Sequence, residues 1–316
     1  MVNWMVSVLG RPRVDVLAAL LSFALTAVLI AVFRDRLPQD HGRQYAVNGA
    51  LSRGKARGAG LIFVPCMILV TLAFVPFSTE LLIYMVLFAA SMCSGYLDDA
   101  SDKPWNEYKK GLIDLLIALA AAVTFLNFNA SSVALFRTVL PLPRGVYLVL
   151  AVVLIWASIN VVNCSDGVDG LSGVLSIVSF GTFLLAFRDA LGDFGTAVLV
   201  VMAGVGAYLW RNASPSTVMM GDAGSRALGF FLAITAMKSG HPLAFVPAAL
   251  VFILDGGLGI LKISLKRFLH ISILKNVRTP LHDHARKNHG WSDAQVVLRF
   301  ALLQLLLAAA LLLVVW

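Results

Sequence analysis

Long apolar runs recur along this chain, and they restrict its fold more than any other feature of the sequence. A transmembrane helix needs about 20 mostly apolar residues, and a helix satisfies its backbone hydrogen bonds internally, as lipid requires. Ten windows of the chain meet this requirement. They span about residues 14–33, 59–77, 79–97, 111–128, 145–163, 171–187, 194–210, 225–240, 242–261 and 296–316. We therefore expect an all-α, polytopic integral membrane protein of about ten transmembrane helices, with residues 1–316 in a single domain.

The composition supports this class of protein. The chain is 59% hydrophobic and only 13% charged, a balance that excludes a soluble domain of this length. Its net charge of +8 suits an anionic membrane leaflet and an anionic substrate equally well. We expect a lipid bilayer around the protein and no nucleic-acid partner, while a homodimer is left open.

The distribution of Lys and Arg predicts the orientation of the chain. Ten spans put both termini on one side, and short cytoplasmic loops retain positive charge. With the termini outside, the inner segments carry 17 of the 25 Lys and Arg residues and the outer segments carry six. The inner segments are then about 34–58, 98–110, 164–170, 211–224 and 262–295. We predict that the termini lie outside and that these five segments face the cytoplasm.

Most of the acidic and histidine side chains near span ends fall on this inner side. They are Asp98, Asp99, Asp102, Asp166, Asp169, Asp222, His282, Asp283 and His284. A random scatter over ten spans would place such residues on both faces of the membrane. Their position on one face predicts a single site that opens to the cytoplasm.

The stretch GYLDDASDKPW, residues 95–105, places adjacent carboxylates at the end of a span. An ionised group at membrane depth costs at least ~2.5–3.5 kcal/mol, so both carboxylates need partners there. Asp98 and Asp99 form a hard-oxygen site of the kind that Mg²⁺ uses together with substrate phosphates. Considered alone, the stretch is at least as typical of a solvated helix end.

Two further stretches combine acids with small residues. In NVVNCSDGVDGLSG, residues 160–173, Asp166 and Asp169 stand three apart, a spacing that puts both carboxylates on one side of a helical turn. In MMGDAGSRALG, residues 219–229, Asp222 lies at the inner end of a span. The alternatives are an ordinary turn for the first stretch and a helix cap for the second.

The last inner segment contains TPLHDHARKNHGWSD, residues 279–293. The pair His282 and His284, with acidic and basic neighbours, suits either a metal or a phosphate group. A solvated loop explains this stretch equally well by itself. Together the four stretches contain carboxylates for a metal and cations for phosphates, without a recognisable nucleophile motif.

In these four stretches the chain resembles the polyprenyl-phosphate N-acetylhexosamine-1-phosphate transferases. The resemblance rests on LDD at 97–99, NVVNCSDGVDGL at 160–171, MGDAGS at 220–225, and PLHDH at 280–284 followed by GW at 290–291. It implies a Mg²⁺-dependent phosphoglycosyl transferase of the bacterial inner membrane. In such an enzyme, the phosphate of a polyprenyl-phosphate lipid attacks the β-phosphorus of a UDP-sugar donor and releases UMP.

Within the family, the tail PLHDH…GWSDAQVVLRF is most similar to the members that transfer phospho-N-acetylmuramoyl-pentapeptide to undecaprenyl phosphate. That reaction makes the first lipid-linked precursor of peptidoglycan. Two residues depart from the family pattern: Asp283 replaces the middle of three histidines, and Met219 replaces an aromatic residue that helps to hold uracil. An N-acetylglucosamine-1-phosphate transferase is therefore the alternative within the family.

The resemblance also implies roles for individual residues. Asp222 is expected to be the metal ligand, and Asp98 and Asp99 are expected to be catalytic residues near the attacking lipid phosphate. The expected substrate-binding residues are Lys55, Asn160, Asn163, Asp166, Asp169, Asn212, His282 and His284. One hypothesis has Asp98 deprotonate the lipid phosphate, although a phosphate monoester is already largely ionised near neutral pH.

A transporter is the alternative from a different functional class. Transporters place ionisable residues near the bilayer midplane and often repeat a pattern between their two halves. In this sequence the acids cluster towards one face, and the halves share no evident pattern. Both observations favour the transferase.

Overall fold

The computed structural model describes residues 2–40, 54–101, 105–135 and 138–315. Asp102 and the middle of the predicted inner segment 34–58 therefore lie outside the described residues. The α-helices are α1 (Val2–Leu9), α2 (Arg11–Phe33), α3 (Gly60–Phe74), α4 (Thr79–Asp99), α5 (Glu107–Phe128), α6 (Arg144–Cys164), α7 (Leu171–Ala186), α8 (Arg188–Leu191), α9 (Phe194–Asn212), α10 (Gly221–Lys238), α11 (Phe245–Ala248), α12 (Leu250–Phe252), α13 (Leu258–Phe268), α14 (Leu281–His289) and α15 (Asp293–Val315). The strands are β1 (Ala56–Arg57), β2 (Ser132–Leu135), β3 (Thr138–Pro141) and β4 (Val218–Met219).

The helices have the lengths and composition of a polytopic membrane protein. Six helical segments in the described ranges are long and apolar enough to cross a membrane. They are Arg11–Arg36, Thr79–Asp99, Glu107–Phe128, Arg144–Cys164, Phe194–Asn212 and Asp293–Val315. A bent pair of helices, Pro242–Ala248 and Leu250–Phe268, is a seventh candidate. The apolar helices α3 and α7 are shorter.

Apolar side chains cover the outward faces of several of these helices. Val28 on α2, Leu116 on α5, Val149 on α6 and Leu306 on α15 are each more than half exposed. Large exposed apolar surfaces are unusual in soluble monomers and mark a site of contact with membrane or protein. A lipid environment explains these side chains directly.

Helix α10 lies at the centre of the bundle, because every side chain from Ala223 to Met237 is buried. It packs against α3, α4, α6 and α7. Small residues allow the neighbouring backbones to come close, as is usual between membrane helices. A side chain at Gly229, for example, would collide with the backbone of Ser158 and Ile159 on α6.

The window 242–261, predicted as one continuous span, is broken in the structure. Its two halves meet at 71°, and a π-helical turn covers Ile253–Gly257. The side chain of Gln304 on α15 satisfies backbone groups at the break: it donates to the Pro247 carbonyl at 2.9 Å and accepts from the Val251 N–H at 3.0 Å. A buried amide that replaces lost helical hydrogen bonds makes such a break tolerable inside a membrane protein.

The structure is mostly helical, but it also contains two short sheets that the all-α prediction did not include. Strands β2 and β3 form an antiparallel hairpin, with Val133 opposite Leu140. Strands β1 and β4 pair in parallel, with Ala56 opposite Val218 and Arg57 opposite Met219. This second pair joins segments that are 162 residues apart in sequence, and it places β1 beside the start of α10.

The ends of the bundle carry different polar groups. At one end, Lys238 on α10 lies 2.9 Å from Glu80 at the start of α4. Near the N-terminus of α2, the buried Asp15 accepts hydrogen bonds from Arg188 at 2.5 Å and from Thr196 at 2.6 Å. The opposite end of α4 and α10 carries the acidic segments singled out in the sequence.

Candidate active site

The site is built around the first turn of α10. Gly95 on α4 leaves no space for a side chain, because a Cβ there would collide with the backbone carbonyl of Asp222. Gly221 has φ +66°, and a Cβ there would lie 2.5 Å from Asp99 Oδ2. Glycine is the residue that tolerates both this conformation and this close approach. These contacts bring the acidic end of α4 to the acidic start of α10.

Asp99 and Asp222 meet at this junction, with Arg57 between them. Arg57 Nη2 donates to Asp99 Oδ1 at 2.6 Å, and the Asp222 N–H donates to Asp99 Oδ2 at 2.8 Å. Both oxygens of Asp99 are therefore engaged. The same Arg57 nitrogen lies 3.9 Å from Asp222 Oδ1, which is the closest charged partner of that carboxylate in the described residues.

Asp98 points away from this pair. Its carboxylate forms an ion pair with Lys110 at the start of α5 and accepts a hydrogen bond from the Trp105 N–H at 2.9 Å. The side chain is almost fully buried. An unpaired carboxylate would be costly to bury. Lys110 and the Trp105 N–H offset that cost for Asp98.

A second ion pair lies beside the β1–β4 pair. Lys55 Nζ is 2.7 Å from Asp169 Oδ2 and donates to Ser216 Oγ at 2.9 Å. The strand pairing brings Lys55 to the loop between α6 and α7, which carries Asp169. Asp166 lies on the same loop, is half-buried and has a polar partner of its own.

Two predicted asparagines hold neighbouring segments together. Asn163 Nδ2 donates to Ser225 Oγ on α10 at 3.0 Å. Asn212 is buried, accepts from the Gly170 N–H at 2.8 Å and donates to the Val218 carbonyl at 2.8 Å. Asn212 thus links the α6–α7 loop to β4. Its contact with a substrate stays a prediction.

Asn160 belongs to a deeper polar cluster. Its side chain lies 3.4 Å from Asp114 Oδ2 and donates to the Trp156 carbonyl at 2.9 Å. Asp114 on α5 also pairs with Arg226 on α10 at 3.0 Å, and both of these side chains are buried. Arg226 lies one helical turn after Asp222, so this pair sits directly beneath the acidic junction.

The two predicted histidines occupy different surroundings on α14. His282 is buried, and its Nδ1 lies 2.8 Å from Asp255 Oδ2. His284 Nδ1 accepts a hydrogen bond from the Arg278 N–H at 3.3 Å. A Cβ on Gly167 would collide with His282 Nε2, so His282 reaches the loop that carries Asp166 and Asp169.

The acidic residues do not form a closed metal cage by themselves. Across residues 2–40, 54–101, 105–135 and 138–315, no three His, Cys, Asp or Glu side chains lie close enough to hold one metal ion. Mg²⁺ is usually bound by one or two carboxylates plus substrate phosphates and water, so it does not need such a cage. Asp222 fits that mode of binding because its carboxylate is partly exposed and has no partner closer than Arg57 among the described residues.

Arg57 and Asp255 are site residues that the sequence alone did not single out. Arg57 stands two positions after Lys55 on an extended segment, a spacing that places both side chains on one face of a strand. This spacing could have been used to predict that Arg57 lies beside Lys55 at the site. Asp255 falls within an apolar window, and only the π-helical turn and the fold of the chain bring it to His282.

Comparison with known proteins gives the family. The model of the family described as Glycosyl transferase family 4 matches residues 81–240, a range that contains nearly all of α4, the whole of α5 to α10 and three of the four acidic segments. The chain belongs to glycosyl transferase family 4.

The proteins similar to this chain include phospho-N-acetylmuramoyl-pentapeptide-transferases. The protein of that name from Treponema pallidum (strain Nichols) is 40% identical over 298 residues, which cover 87% of this chain and 82% of the relative. The protein from Symbiobacterium thermophilum is 31% identical over 297 residues, with 88% of each chain covered. The protein from Lactobacillus delbrueckii subsp. bulgaricus is 30% identical over 326 residues, which cover 95% and 99%.

Proposed function

We propose that this protein transfers phospho-N-acetylmuramoyl-pentapeptide from its UDP-linked donor to undecaprenyl phosphate. UMP is released, and the product is the first lipid-linked precursor of peptidoglycan. The observation that carries the proposal is the junction of α4 and α10, where Asp99, Asp222 and Arg57 meet in a chain 40% identical to an enzyme named for this transfer.

The reaction is a phosphoryl transfer between two anionic substrates. An oxygen of the lipid phosphate attacks the β-phosphorus of the donor, the bond from that phosphorus to the bridging oxygen breaks, and UMP leaves with the electron pair. Phosphoryl transfer requires positioning and neutralisation of charge rather than covalent help from the protein. A site that combines carboxylates with basic side chains suits these requirements.

Mg²⁺ is part of the proposal, with Asp222 as its protein ligand. The ion, when bound with the donor, supplies positive charge against the diphosphate. Asp99 holds Asp222 in place, because it accepts a hydrogen bond from the Asp222 N–H at the first turn of α10. Asp98, paired with Lys110, is the neighbour of Asp99 in sequence, and we assign the lipid phosphate to this side of the junction.

The donor would lie along the loop between α6 and α7. Lys55 and His282 face this loop from two sides and offer donors to phosphate oxygens. Asn163 and Asp166 would also contact the donor. In this arrangement Asn160 and Asn212 support these residues through their hydrogen bonds to neighbouring segments.

The orientation in the membrane is also a proposal. Ten spans with both termini outside would place the acidic end of the bundle at the cytoplasmic face of a bacterial inner membrane. The excess of Lys and Arg on the predicted inner segments supports this orientation. The cytoplasmic face is where a soluble UDP-linked donor is available.

The direct test is an assay of the purified protein with undecaprenyl phosphate, Mg²⁺ and one UDP-sugar at a time. We expect release of UMP with UDP-N-acetylmuramoyl-pentapeptide, and none when the lipid phosphate or Mg²⁺ is omitted. Turnover of UDP-N-acetylglucosamine without turnover of the pentapeptide donor would contradict the proposed substrate. UMP release that depends on lipid phosphate also separates a transferase from a transporter.

A further inference from the structure

Asp255 is a fully buried carboxylate on the π-helical turn Ile253–Gly257. The turn packs closely against the end of α6, where a Cβ on Gly256 would lie 2.5 Å from the Val161 carbonyl. π-Helical turns are rare and occur frequently at functional sites. A buried carboxylate needs hydrogen-bond partners to offset its desolvation, and within the described part of the chain Asp255 obtains them from one residue, His282.

Asp255 contacts His282 at two places. The backbone N–H of His282 donates to Asp255 Oδ1 at 2.7 Å, and His282 Nδ1 lies 2.8 Å from Asp255 Oδ2. An ionised carboxylate only accepts hydrogen bonds, so the imidazole must carry a hydrogen on Nδ1. The backbone contact alone would anchor the start of α14. The contact at Nδ1 fixes in addition the plane and the tautomer of the ring.

The opposite ring nitrogen, Nε2, is directed at the α6–α7 loop. It lies so close to Gly167 that a Cβ there would collide with it. Gly167 itself is exposed and stands between Asp166 and Asp169, on the loop that also meets Lys55. The carboxylate, the imidazole and the loop thus follow one another from the buried interior to the surface of the candidate site.

We propose that Asp255 is a positioning residue that holds His282 with Nε2 directed at a phosphate oxygen of the bound UDP-sugar donor. A phosphate oxygen accepts hydrogen bonds, so the contact requires a hydrogen on Nε2 as well. The buried carboxylate supplies the counter charge for the imidazolium that results. This inference rests on the proposed function, because the donor diphosphate is the ligand of the dyad.

The first experiment compares Asp255→Asn, His282→Ala and the double variant in the UMP-release assay. In Asp255→Asn, the amide oxygen still accepts from the His282 N–H, but the amide NH₂ faces Nδ1 and reverses the tautomer of the ring. The ring then keeps a hydrogen on Nε2 but lacks the counter charge that stabilises an imidazolium beside the phosphate. We therefore expect kcat/KM to fall about ten- to a hundredfold, as for other groups that orient a functional histidine. The double variant should be no slower than His282→Ala alone, because Asp255 acts through His282.

Asp15→Asn is the matched control. Asp15 is also a buried carboxylate with an arginine partner, but it lies at the opposite end of the bundle from the acidic junction. We expect this variant to lose thermal stability in detergent and to retain the kcat and KM of the wild type per folded protein. If Asp255 had a merely structural role, Asp255→Asn would show the same pattern as Asp15→Asn, and this would overturn the proposal. The proposal would also be overturned if the loss of kcat/KM in the double variant equalled the product of the losses in Asp255→Asn and His282→Ala.

The second experiment does not depend on turnover. Protein labelled with ¹⁵N at histidine is titrated with UDP and Mg²⁺, and the His282 signals are assigned from the His282→Ala spectrum. We expect a hydrogen on Nδ1 alone in the free wild type and on both ring nitrogens once UDP binds. In Asp255→Asn the free ring should carry its hydrogen on Nε2 alone and should not gain a second one with UDP. A wild-type Nε2 signal that does not respond to UDP would overturn the dyad, whereas absence of turnover in the wild type alone would overturn the proposed function.

Discussion

Asp222 differs from its acidic neighbours in what its carboxylate contacts. Asp98 is paired with Lys110, and both oxygens of Asp99 are engaged by Arg57 and the Asp222 N–H. The Asp222 carboxylate keeps the larger share of exposed surface and has Arg57 at 3.9 Å. At the scale of single residues, Asp222 is therefore the carboxylate available to a bound cation.

Replacement of Asp222 by Asn should abolish turnover without unfolding the protein. The amide keeps the shape of the side chain, and the backbone N–H that binds Asp99 is unchanged. We expect the rate of UMP release to fall by about a thousandfold or more, because a bound metal ion supplies several kcal/mol of charge stabilisation and about 1.4 kcal/mol is tenfold in rate. Size-exclusion chromatography and thermal unfolding in detergent check the fold. A variant with wild-type activity would exclude Asp222 as the metal ligand.

Arg57→Ala should impair both stability and activity. It leaves Asp99 beside Asp222 without its charged partner, and a buried group without a partner costs about 1–3 kcal/mol. We expect kcat/KM to fall by about ten- to a hundredfold, by the same relation between free energy and rate. Arg57→Lys should recover only part of the loss, since a lysine lacks the planar fork that binds a carboxylate.

Arg34→Ala is the control for Arg57→Ala, because Arg34 pairs with the exposed Asp35 and exposed pairs contribute about 0–1 kcal/mol. It should leave kcat/KM unchanged. Equal effects of the Arg57 and Arg34 variants would contradict the role given to Arg57. The readouts are the UMP-release rate and the melting temperature in detergent.

At the scale of elements, the site depends on how closely α4 and α10 approach. Gly95 faces the backbone at Asp222, and Gly60 on α3 faces the backbone of Gly224. These two close approaches put the first turn of α10 between α3 and α4. The acids can meet there only because glycine occupies the contact points.

Gly95→Ala should displace the start of α10. The added Cβ would meet the Asp222 backbone, which cannot yield as a flexible side chain could. Overpacking of this kind costs about 1–3 kcal/mol, and we expect a matching drop in melting temperature with a large loss of turnover. Gly111→Ala is the matched control, because no atom lies within 4 Å of a Cβ at that position in α5. A Gly95 variant that behaves like the Gly111 variant would contradict the tight junction.

The positions of most helices could be predicted from the sequence, and their breaks could not. The windows 79–97 and 145–163 correspond to α4 and α6 within two residues at each end, because apolar length alone determines such spans. At the 71° break in the window 242–261, the free backbone groups bond to Gln304, which is distant in sequence. The pairing of β1 with β4 likewise depends on tertiary packing, since two-residue strands carry no periodicity of their own.

For the site, too, local sequence patterns could be predicted and tertiary contacts could not. Carboxylates in short polar stretches between apolar runs are visible in the sequence, so Asp99, Asp169 and Asp222 could be predicted as members of one site, and the structure brings Asp99 and Asp222 into contact. Arg57, the partner of Asp99, and Asp255, the partner of His282, were not singled out, because each lies more than 25 residues from the group it binds. The sequence predicts which residues carry charge, whereas the fold determines which charges pair.

At the scale of the whole molecule, polar groups are separated between the two ends of one helical bundle. One end carries the Lys238–Glu80 pair, and the other carries the acidic segments of α4, the α6–α7 loop and α10. A common site for a lipid phosphate and a soluble donor requires all three acidic segments on one face of the membrane. The proposed transfer fails if any of the three segments lies on the other face.

Cysteine accessibility in intact cells tests that claim most directly. In a variant without the three native cysteines, single cysteines replace Glu107 and Ser214 near the acidic end, and Thr138 and Asp189 at the other end, all of which are exposed. A membrane-impermeant maleimide should label positions 138 and 189 in intact cells, and positions 107 and 214 only after the membrane is opened. Labelling of 107 and 214 from opposite sides of the membrane would contradict a shared site.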